Sequence, residues 1–232
     1  MTQSPFHTSD RKKNPVDAEN SSPLSKRMPD IMPKIILASS SPYRRTLLEK
    51  LRLPFDCASP NIDEQPLPNE TVKAMTLRLA QEKAQALAAA NQQPEQPEQP
   101  TWIIGSDQSA CLDGHALGKP QTLARARQQL EQLSNRTVTF YTSVCLNTPE
   151  QTWQGVDETQ VTFRSLTPET IQNYLDQERP LQCAGSFQSE GLGITLFHAI
   201  HTQDPNALIG LPLSMLTDFL TQAGLSLPQP TS

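Results

Sequence analysis

The stretch that decides the fold is KIILASSSPYRRTLLEKL, residues 34–51. It opens with the apolar run Ile35 to Ala38, which is typical of a short buried strand. Ser41 and Pro42 then provide a favoured helix start, with serine as the N-cap and proline at the first helical position. The helix has an apolar face made of Leu47, Leu48 and Leu51. The stretch therefore predicts a strand that leads directly into a helix.

The first turn of this helix carries two arginines, Arg44 and Arg45. A helix N-terminus is already partly positive, so two further positive charges are unfavourable there unless an anion binds. Backbone N–H groups, serine hydroxyls such as that of Ser39, and guanidinium groups could hold the anion together. The pattern indicates a multiply charged phosphate ligand, although both arginines could instead be solvated surface residues.

The composition excludes several classes of protein. A chain of 232 residues fits one large domain or two small lobes, and its net charge of −5 argues against a general nucleic-acid-binding surface. No apolar run approaches the roughly 18 residues of a membrane span. The cysteines show neither a CxxC pair nor zinc-type spacing, which predicts reduced thiols in a cytoplasmic protein. They are Cys57, Cys111, Cys145 and Cys183.

Three segments look different from the rest of the chain. Residues 1–33 are rich in serine, proline and charge, which predicts a disordered N-terminal tail; Met32 is an alternative start that would remove most of it. Residues 34–226 form the predicted domain, and residues 227–232 a flexible C-terminus. Within the domain, QQPEQPEQP at 92–100 predicts an exposed connector.

Hydrophobic periodicity places further helices and strands in alternation, which indicates an α/β fold. Helices are predicted at about 70–90, 122–133, 167–177 and 212–224. Strands are predicted at 102–105, 137–146, 160–164, 183–187 and 194–200, and residues 54–69 are predicted to form a loop.

Polar residues fall at the predicted strand ends and helix starts, where open α/β sheets bind ligands. They comprise cations suited to an anion and carboxylates suited to a hard metal or to deprotonating water: Ser39, Ser41, Tyr43, Arg44, Arg45, Glu64, Lys83, Asp107, Gln108, Lys119, Gln188 and Glu190. Asp107 is the strongest candidate because it follows the apolar run 102–104. Surface roles remain open for Glu64, Lys83 and Glu190. The segment 114–120 is not a Walker loop, since three residues separate its glycines and Pro120 follows the lysine.

Nine short motifs occur in one order along the chain. They are LASSSPYRR (37–45), IDE (62–64), RLAQEKA (78–84), IIGSDQ (103–108), GKP (118–120), FYTS (140–143), VTFRSL (161–166), AGSFQSEG (184–191) and GLPL (210–213). In this combination the chain resembles the Maf family of nucleotide pyrophosphatases, from about Met32 to Gly224.

The resemblance implies a mixed twisted sheet with flanking helices and two lobes around a deep cleft. It also implies hydrolysis of a nucleoside triphosphate to the monophosphate and pyrophosphate with a divalent cation, Mg²⁺ or Mn²⁺. Asp107 would be the proton acceptor, and Glu64 would join it as a metal ligand. The phosphate-binding residues would be Ser39, Arg44, Arg45, Lys83 and Lys119. The chain could form a homodimer, and neither nucleic acid nor a membrane is an expected partner.

Three positions separate the branches of the family, and here they are Tyr43, Gln108 and Glu190. At these positions the chain is similar to the branch that acts on 7-methyl-GTP. The resemblance implies a role in clearing non-standard nucleotides. The chemistry agrees, because a methylated guanine is cationic and suits an aromatic face and a nearby carboxylate. There are two alternatives. The chain could be a pyrophosphatase that prefers TTP or UTP, or a non-catalytic nucleotide-binding regulator of cell division.

Overall fold

The structure is a computed structural model that describes residues 32–90 and 99–229. The predicted tail at 1–33, apart from its last two residues, lies outside the described residues. So do most of the connector predicted at 92–100 and the last three residues of the predicted flexible C-terminus. In the part of the chain that is described, no helix combines the length and apolar character that a membrane span requires.

Seven strands of the described chain form one mixed sheet. They are β1 (Lys34–Ala38), β2 (Phe55–Ala58), β3 (Thr101–Leu112), β4 (His115–Leu117), β5 (Thr137–Asn147), β6 (Thr152–Phe163) and β7 (Phe197–His201). Their order across the sheet is β2-β1-β3-β5-β6-β7, with β4 beside β3. β1 pairs in parallel with β2 and β3, whereas the other pairs are antiparallel. The mixed α/β class expected from the sequence is confirmed.

The helices of the described chain flank this sheet. They are α1 (Pro42–Glu49), α2 (Val72–Ala90), α3 (Leu123–Leu133), α4 (Pro168–Glu178) and α5 (Leu213–Gln222). The predicted start of α1 is confirmed, because the Ser41 side chain accepts a hydrogen bond from the backbone N–H of Arg44. Leu47 and Leu48 are buried in the core, and each contributes about 1.5–3 kcal/mol of burial free energy that fixes the helix on the sheet.

Each face of the central strands packs against different helices. Ile103 and Cys145 face Ala80 and Ala84 of α2. This approach is close enough to require glycine at position 105, since a Cβ there would lie 2.0 Å from the carbonyl oxygen of Ala80. The opposite face packs against α1 and α5 through residues such as Ile35, Ile104 and Leu216. A third core, between the sheet and helices α3 and α4, makes a second lobe around Phe140, Phe163, Phe187 and Phe197.

The structure corrects five local predictions. Residues 55–58, predicted as loop, form the edge strand β2, which is short and partly exposed and so lacks an apolar signature. Residues 183–187, predicted as a strand, contain a 3-10 turn at Ala184–Ser186, and β7 begins only at Phe197 after a second turn. β3 and β6 are each 12 residues long, much longer than predicted. Both pair with β5 along most of its length, and this pairing keeps their polar residues in the strands.

Candidate active site

The candidate site lies where β1 ends and its neighbour β3 continues. Ala38, the last residue of β1, pairs with Gly105, so β3 projects beyond β1 from Ser106 onward. Asp107 therefore lies inside a strand, whereas the sequence predicts it at a strand end. Because side chains alternate along a strand, Asp107 faces α2 whereas Gln108 faces the loop before α5. The free edge opens into a cleft of about 700 Å³.

A buried lysine joins two carboxylates at the base of this cleft. The Nζ atom of Lys83 lies 2.7 Å from Oδ1 of Asp107 and 2.7 Å from Oε1 of Glu64. Lys83 and Asp107 are 6% and 7% exposed, whereas Glu64 lies on the open side of the cleft. α2 brings the lysine here because Lys83 shares a helix face with Ala80 and Ala84, which pack on β3. The structure thus unites three residues that the sequence had placed in separate motifs.

The electrostatics of Glu64 follow from this arrangement. Partial burial alone would raise the pKa of its carboxyl group. The hydrogen bond and charge of Lys83 outweigh that effect, with smaller contributions from Lys119 and Arg44, and the pKa of Glu64 is lowered. Glu64 is consequently a carboxylate near neutral pH, available to bind a cation or to hold Lys83 in place.

Arg44 is fixed at the N-terminal end of α1. Its Nε donates to the carbonyl oxygen of Gly210 at 2.9 Å, and that oxygen also accepts from the hydroxyl of Ser106 at 3.0 Å. Nη1 lies 3.5 Å from Oγ of Ser39, whose Oγ also accepts from the N–H of Ser41. Burial lowers the pKa of the Arg44 guanidinium, although the charges of Asp107 and Glu64 oppose the shift. A phosphate at this helix end would meet a prepositioned guanidinium and serine hydroxyls.

Arg45 does not join the site, in contrast to the sequence prediction. It is exposed, forms a 3.2 Å ion pair with Glu49 one turn further along α1, and is not among the residues that line the cleft. Consecutive helix residues point about 100° apart, and the Arg45 side chain is directed along α1 towards Glu49, away from that of Arg44. Lys119, from the segment after β4, lines the cleft as predicted.

A smaller recess of about 110 Å³ adjoins the cleft. It is lined by all three predicted specificity residues, Tyr43, Gln108 and Glu190. The amide nitrogen of Gln108 is held by the carbonyl oxygens of Ala207 and Leu208, both at 2.9 Å. Two residues of its lining are joined to each other, since the side chain of Gln188 donates a hydrogen bond to the hydroxyl of Tyr43.

The wall of the recess is aromatic and rigid. The ring of Phe187 packs edge-on against those of Phe140 and Phe197, with centroid distances of 5.2 and 4.6 Å. Burial, together with the nearby Cys183 and Glu190, raises the pKa of Tyr43, so its hydroxyl stays protonated. The recess therefore offers an aromatic surface, a hydroxyl and a carboxylate to a planar ligand.

Sequence reasoning missed several contributors to the site. The carbonyl oxygen of Gly210 anchors Arg44, and the GLPL motif at 210–213 was its only signal. Cys183 was interpreted as an ordinary reduced thiol, yet it lies in the recess wall, where burial raises its pKa. No sequence pattern indicates that Cys183 lines the recess.

The donor set fits a divalent cation that arrives with a polyphosphate. Among residues 32–90 and 99–229 no group of three His, Cys, Asp or Glu side chains is arranged to hold a metal. Lys83 brings Glu64 and Asp107 together, and its Nζ occupies the point between their bonded oxygens, so a cation would be held by the remaining carboxylate oxygens. Mg²⁺ is commonly held by one or two carboxylates plus substrate phosphates and water. Two carboxylates beside the N-terminal end of α1 are donors of the kind that such a cation uses.

A cleft beside an α/β sheet that combines a cationic helix end, a carboxylate pair and an aromatic recess is typical of an enzyme that acts on a nucleotide. The chain belongs to the Maf-like protein family, whose sequence pattern matches residues 34–223.

Similar proteins cover most of the chain. The 7-methyl-GTP pyrophosphatases of Xanthomonas oryzae pv. oryzae and Xanthomonas campestris pv. campestris are 52% and 53% identical to it, over 85% of this chain and all of theirs. The 7-methyl-GTP pyrophosphatase of Hydrogenovibrio crunogenus is 53% identical over 85% of this chain and 96% of its own. The Ham1 protein of Staphylococcus aureus has a TM-score of 0.48 and 14% identity over 82% of this chain and 99% of that one.

Proposed function

We propose that this protein hydrolyses a nucleoside triphosphate to the nucleoside monophosphate and pyrophosphate, with 7-methyl-GTP as the preferred substrate. The observation that carries the proposal is the Lys83-bridged pair of Asp107 and Glu64, which lies in a cleft that also contains the N-terminal end of α1 and adjoins the recess of Tyr43 and Glu190. The names of relatives that are 52–53% identical support the same substrate.

The triphosphate lies in the larger cleft. The N-terminal N–H groups of α1, the guanidinium of Arg44 and the ammonium of Lys119 bind its oxygens. Positive charge from Lys83 and Arg44 stabilises the pyrophosphate as it leaves. Mg²⁺ or Mn²⁺ bound by Glu64 and Asp107 would neutralise further phosphate charge.

Asp107 accepts the proton of the attacking water. The water oxygen forms a bond to the α-phosphorus while the bond from that phosphorus to the bridging oxygen of the β-phosphate breaks. The electron pair of the broken bond leaves on the pyrophosphate, and the water proton goes to the Asp107 carboxylate. The lysine contact at 2.7 Å orients this carboxylate from one side, which keeps its other oxygen available.

The recess selects the base. The ring of 7-methylguanine is cationic and favours the face of Tyr43. Its N1–H and N2–H donors pair with the two carboxylate oxygens of Glu190. Both residues line one recess that is continuous with the cleft, so base and phosphates are bound together. In the cell this activity would clear non-standard nucleotides from the cytoplasm.

A substrate panel tests the proposal. Pyrophosphate release is measured with purified protein, Mg²⁺ or Mn²⁺, and 7-methyl-GTP, GTP, TTP or UTP. The highest kcat/KM is expected for 7-methyl-GTP. A higher value for TTP or UTP would contradict the substrate, and binding without release of pyrophosphate would contradict the enzyme and favour a nucleotide-binding regulator.

A further inference from the structure

Gln129 lies on α3, outside the cleft, and connects two segments that form it. Its Nε2 donates to the carbonyl oxygen of Gly118 at 2.9 Å, and its Oε1 accepts a hydrogen bond from the hydroxyl of Ser186. Gly118 begins the phosphate loop, residues 118–121, which carries Lys119. Ser186 lies within the base loop, residues 182–191, which carries Glu190. One planar amide is thus bonded to both loops.

We infer that Gln129 is a positioning residue that sets the distance between the phosphate loop and the base loop. This inference rests on the proposed function, because it assigns one loop to the phosphates and the other to the base. Gln129 itself is not among the residues that line the cleft or the recess. It acts through Gly118 and Ser186.

The base loop needs such support because its backbone is strained. Gly185 and Ser186 have φ values of 71° and 62°, and serine adopts this left-handed region only at a cost. Ser186 is also completely buried, so its hydroxyl requires a partner inside the protein. Gln129 supplies that partner and holds the turn from which Phe187 enters the recess wall.

A backbone hydrogen bond also ties the end of the phosphate loop to the start of the base loop. The N–H of Gln121 donates to the carbonyl oxygen of Leu181 at 3.0 Å. This bond joins the far end of the phosphate loop to the residue before the base loop. Loss of the Gln129 bonds would therefore shift the loops relative to each other without separating them, and a stable but misaligned site is expected.

Two substitutions of Gln129 distinguish the effects of its two hydrogen bonds. Gln129→Met has a similar length and removes both bonds. Gln129→Glu keeps an acceptor for Ser186 but replaces the donor to Gly118 with an oxygen that repels the carbonyl. Gln128→Met is the matched control, because Gln128 is the adjacent glutamine and is exposed.

The experiment measures equilibrium binding of pyrophosphate, and of non-hydrolysable analogues of 7-methyl-GTP and GTP, together with kcat, KM and Tm. Gln129→Met is expected to weaken pyrophosphate binding and to lower kcat/KM for 7-methyl-GTP between about tenfold and a hundredfold, the scale of small misplacements in a site. It should also reduce the affinity ratio of the two analogues. Gln129→Glu should weaken pyrophosphate binding and leave that ratio close to wild type.

The inference would be overturned if the Gln129→Met protein had a lower Tm but wild-type affinities and a wild-type affinity ratio for the two analogues. Gln129 would then have a structural role only. The same conclusion would follow if Gln128→Met changed binding as much. If the wild type binds the analogues but releases no pyrophosphate, the proposed function fails while the binding constants still decide the role of Gln129.

Discussion

Replacing Lys83 with methionine tests whether the two carboxylates depend on the lysine between them. Methionine has a similar length and removes the charge without leaving a large cavity. Asp107 is then a buried carboxylate without its partner, whereas Glu64, with 57% of its side chain exposed, can turn to solvent. Removing one member of a buried ion pair costs 3–5 kcal/mol, and an exposed pair is worth at most about 1 kcal/mol. We therefore expect a loss of about 3 kcal/mol in unfolding free energy.

For a domain of this size, 1 kcal/mol corresponds to about 2–4 °C in Tm. Lys83→Met should then lower Tm by about 6–12 °C at neutral pH. The assay is urea and thermal unfolding of the wild type, the single variants Lys83→Met and Asp107→Asn, and the double variant. The double variant should be less destabilised than the sum of the singles by about 0.5–3 kcal/mol, because it leaves no buried charge unpaired and Glu64 can turn to solvent.

Lys73→Met is the matched control. Lys73 lies on the same helix and pairs with Glu158, but both side chains are about half exposed. Its replacement should change the unfolding free energy by no more than about 0.5 kcal/mol. If Lys83→Met cost no more than this control, or if the double variant were simply additive, Lys83 would not hold a buried carboxylate and the reasoning would be refuted.

Three further predictions follow from the geometry. Arg44→Met should raise the KM for triphosphate at least tenfold while Arg45→Met leaves it near wild type; equal effects in steady-state kinetics would place both at the phosphate. Glu190→Gln should reduce the kcat/KM ratio of 7-methyl-GTP to GTP, and an unchanged ratio would remove Glu190 from base selection. The Arg78 fork lowers the pKa of Glu70 from 4.5 to about 2. The resulting stability is complete above pH 4.5 and is lost as pH falls towards 2. Urea midpoints should decline across this window, and Glu70→Gln should flatten the decline; parallel curves would contradict the pairing.

The parts of the fold that the sequence predicted correctly are local. The strand and helix of residues 34–51 carry their own signals, an apolar run and a serine–proline start, and the structure confirms both. The family and the α/β class were also correct, since they depend on many motifs at once. Within the base loop, residues 183–187 were predicted to form a strand, yet the positive φ values of Gly185 and Ser186 give a turn there instead.

The site was harder to predict because its geometry depends on long-range pairing. The sequence predicts Asp107 as a carboxylate at the end of a buried strand. Its location inside β3, beyond the end of β1, follows from strand pairing that no local pattern reveals. Arg44 and Arg45 look equivalent in sequence, and only the position of α1 on the sheet separates them. The contact of Lys83 with Asp107 spans 24 residues and needs the whole strand–helix arrangement. The catalytic roles of these residues stay predictions.

The central claim is that Asp107 accepts a proton during hydrolysis of the triphosphate. Asp107→Asn keeps the size of the side chain and can still accept a hydrogen bond from Lys83, so the variant should fold and bind a non-hydrolysable 7-methyl-GTP analogue. The decisive measurement is single-turnover pyrophosphate release from 7-methyl-GTP at saturating protein. We predict a loss on the order of 10²–10⁴-fold relative to the wild type with analogue binding retained. A rate within a few-fold of the wild type would contradict the account.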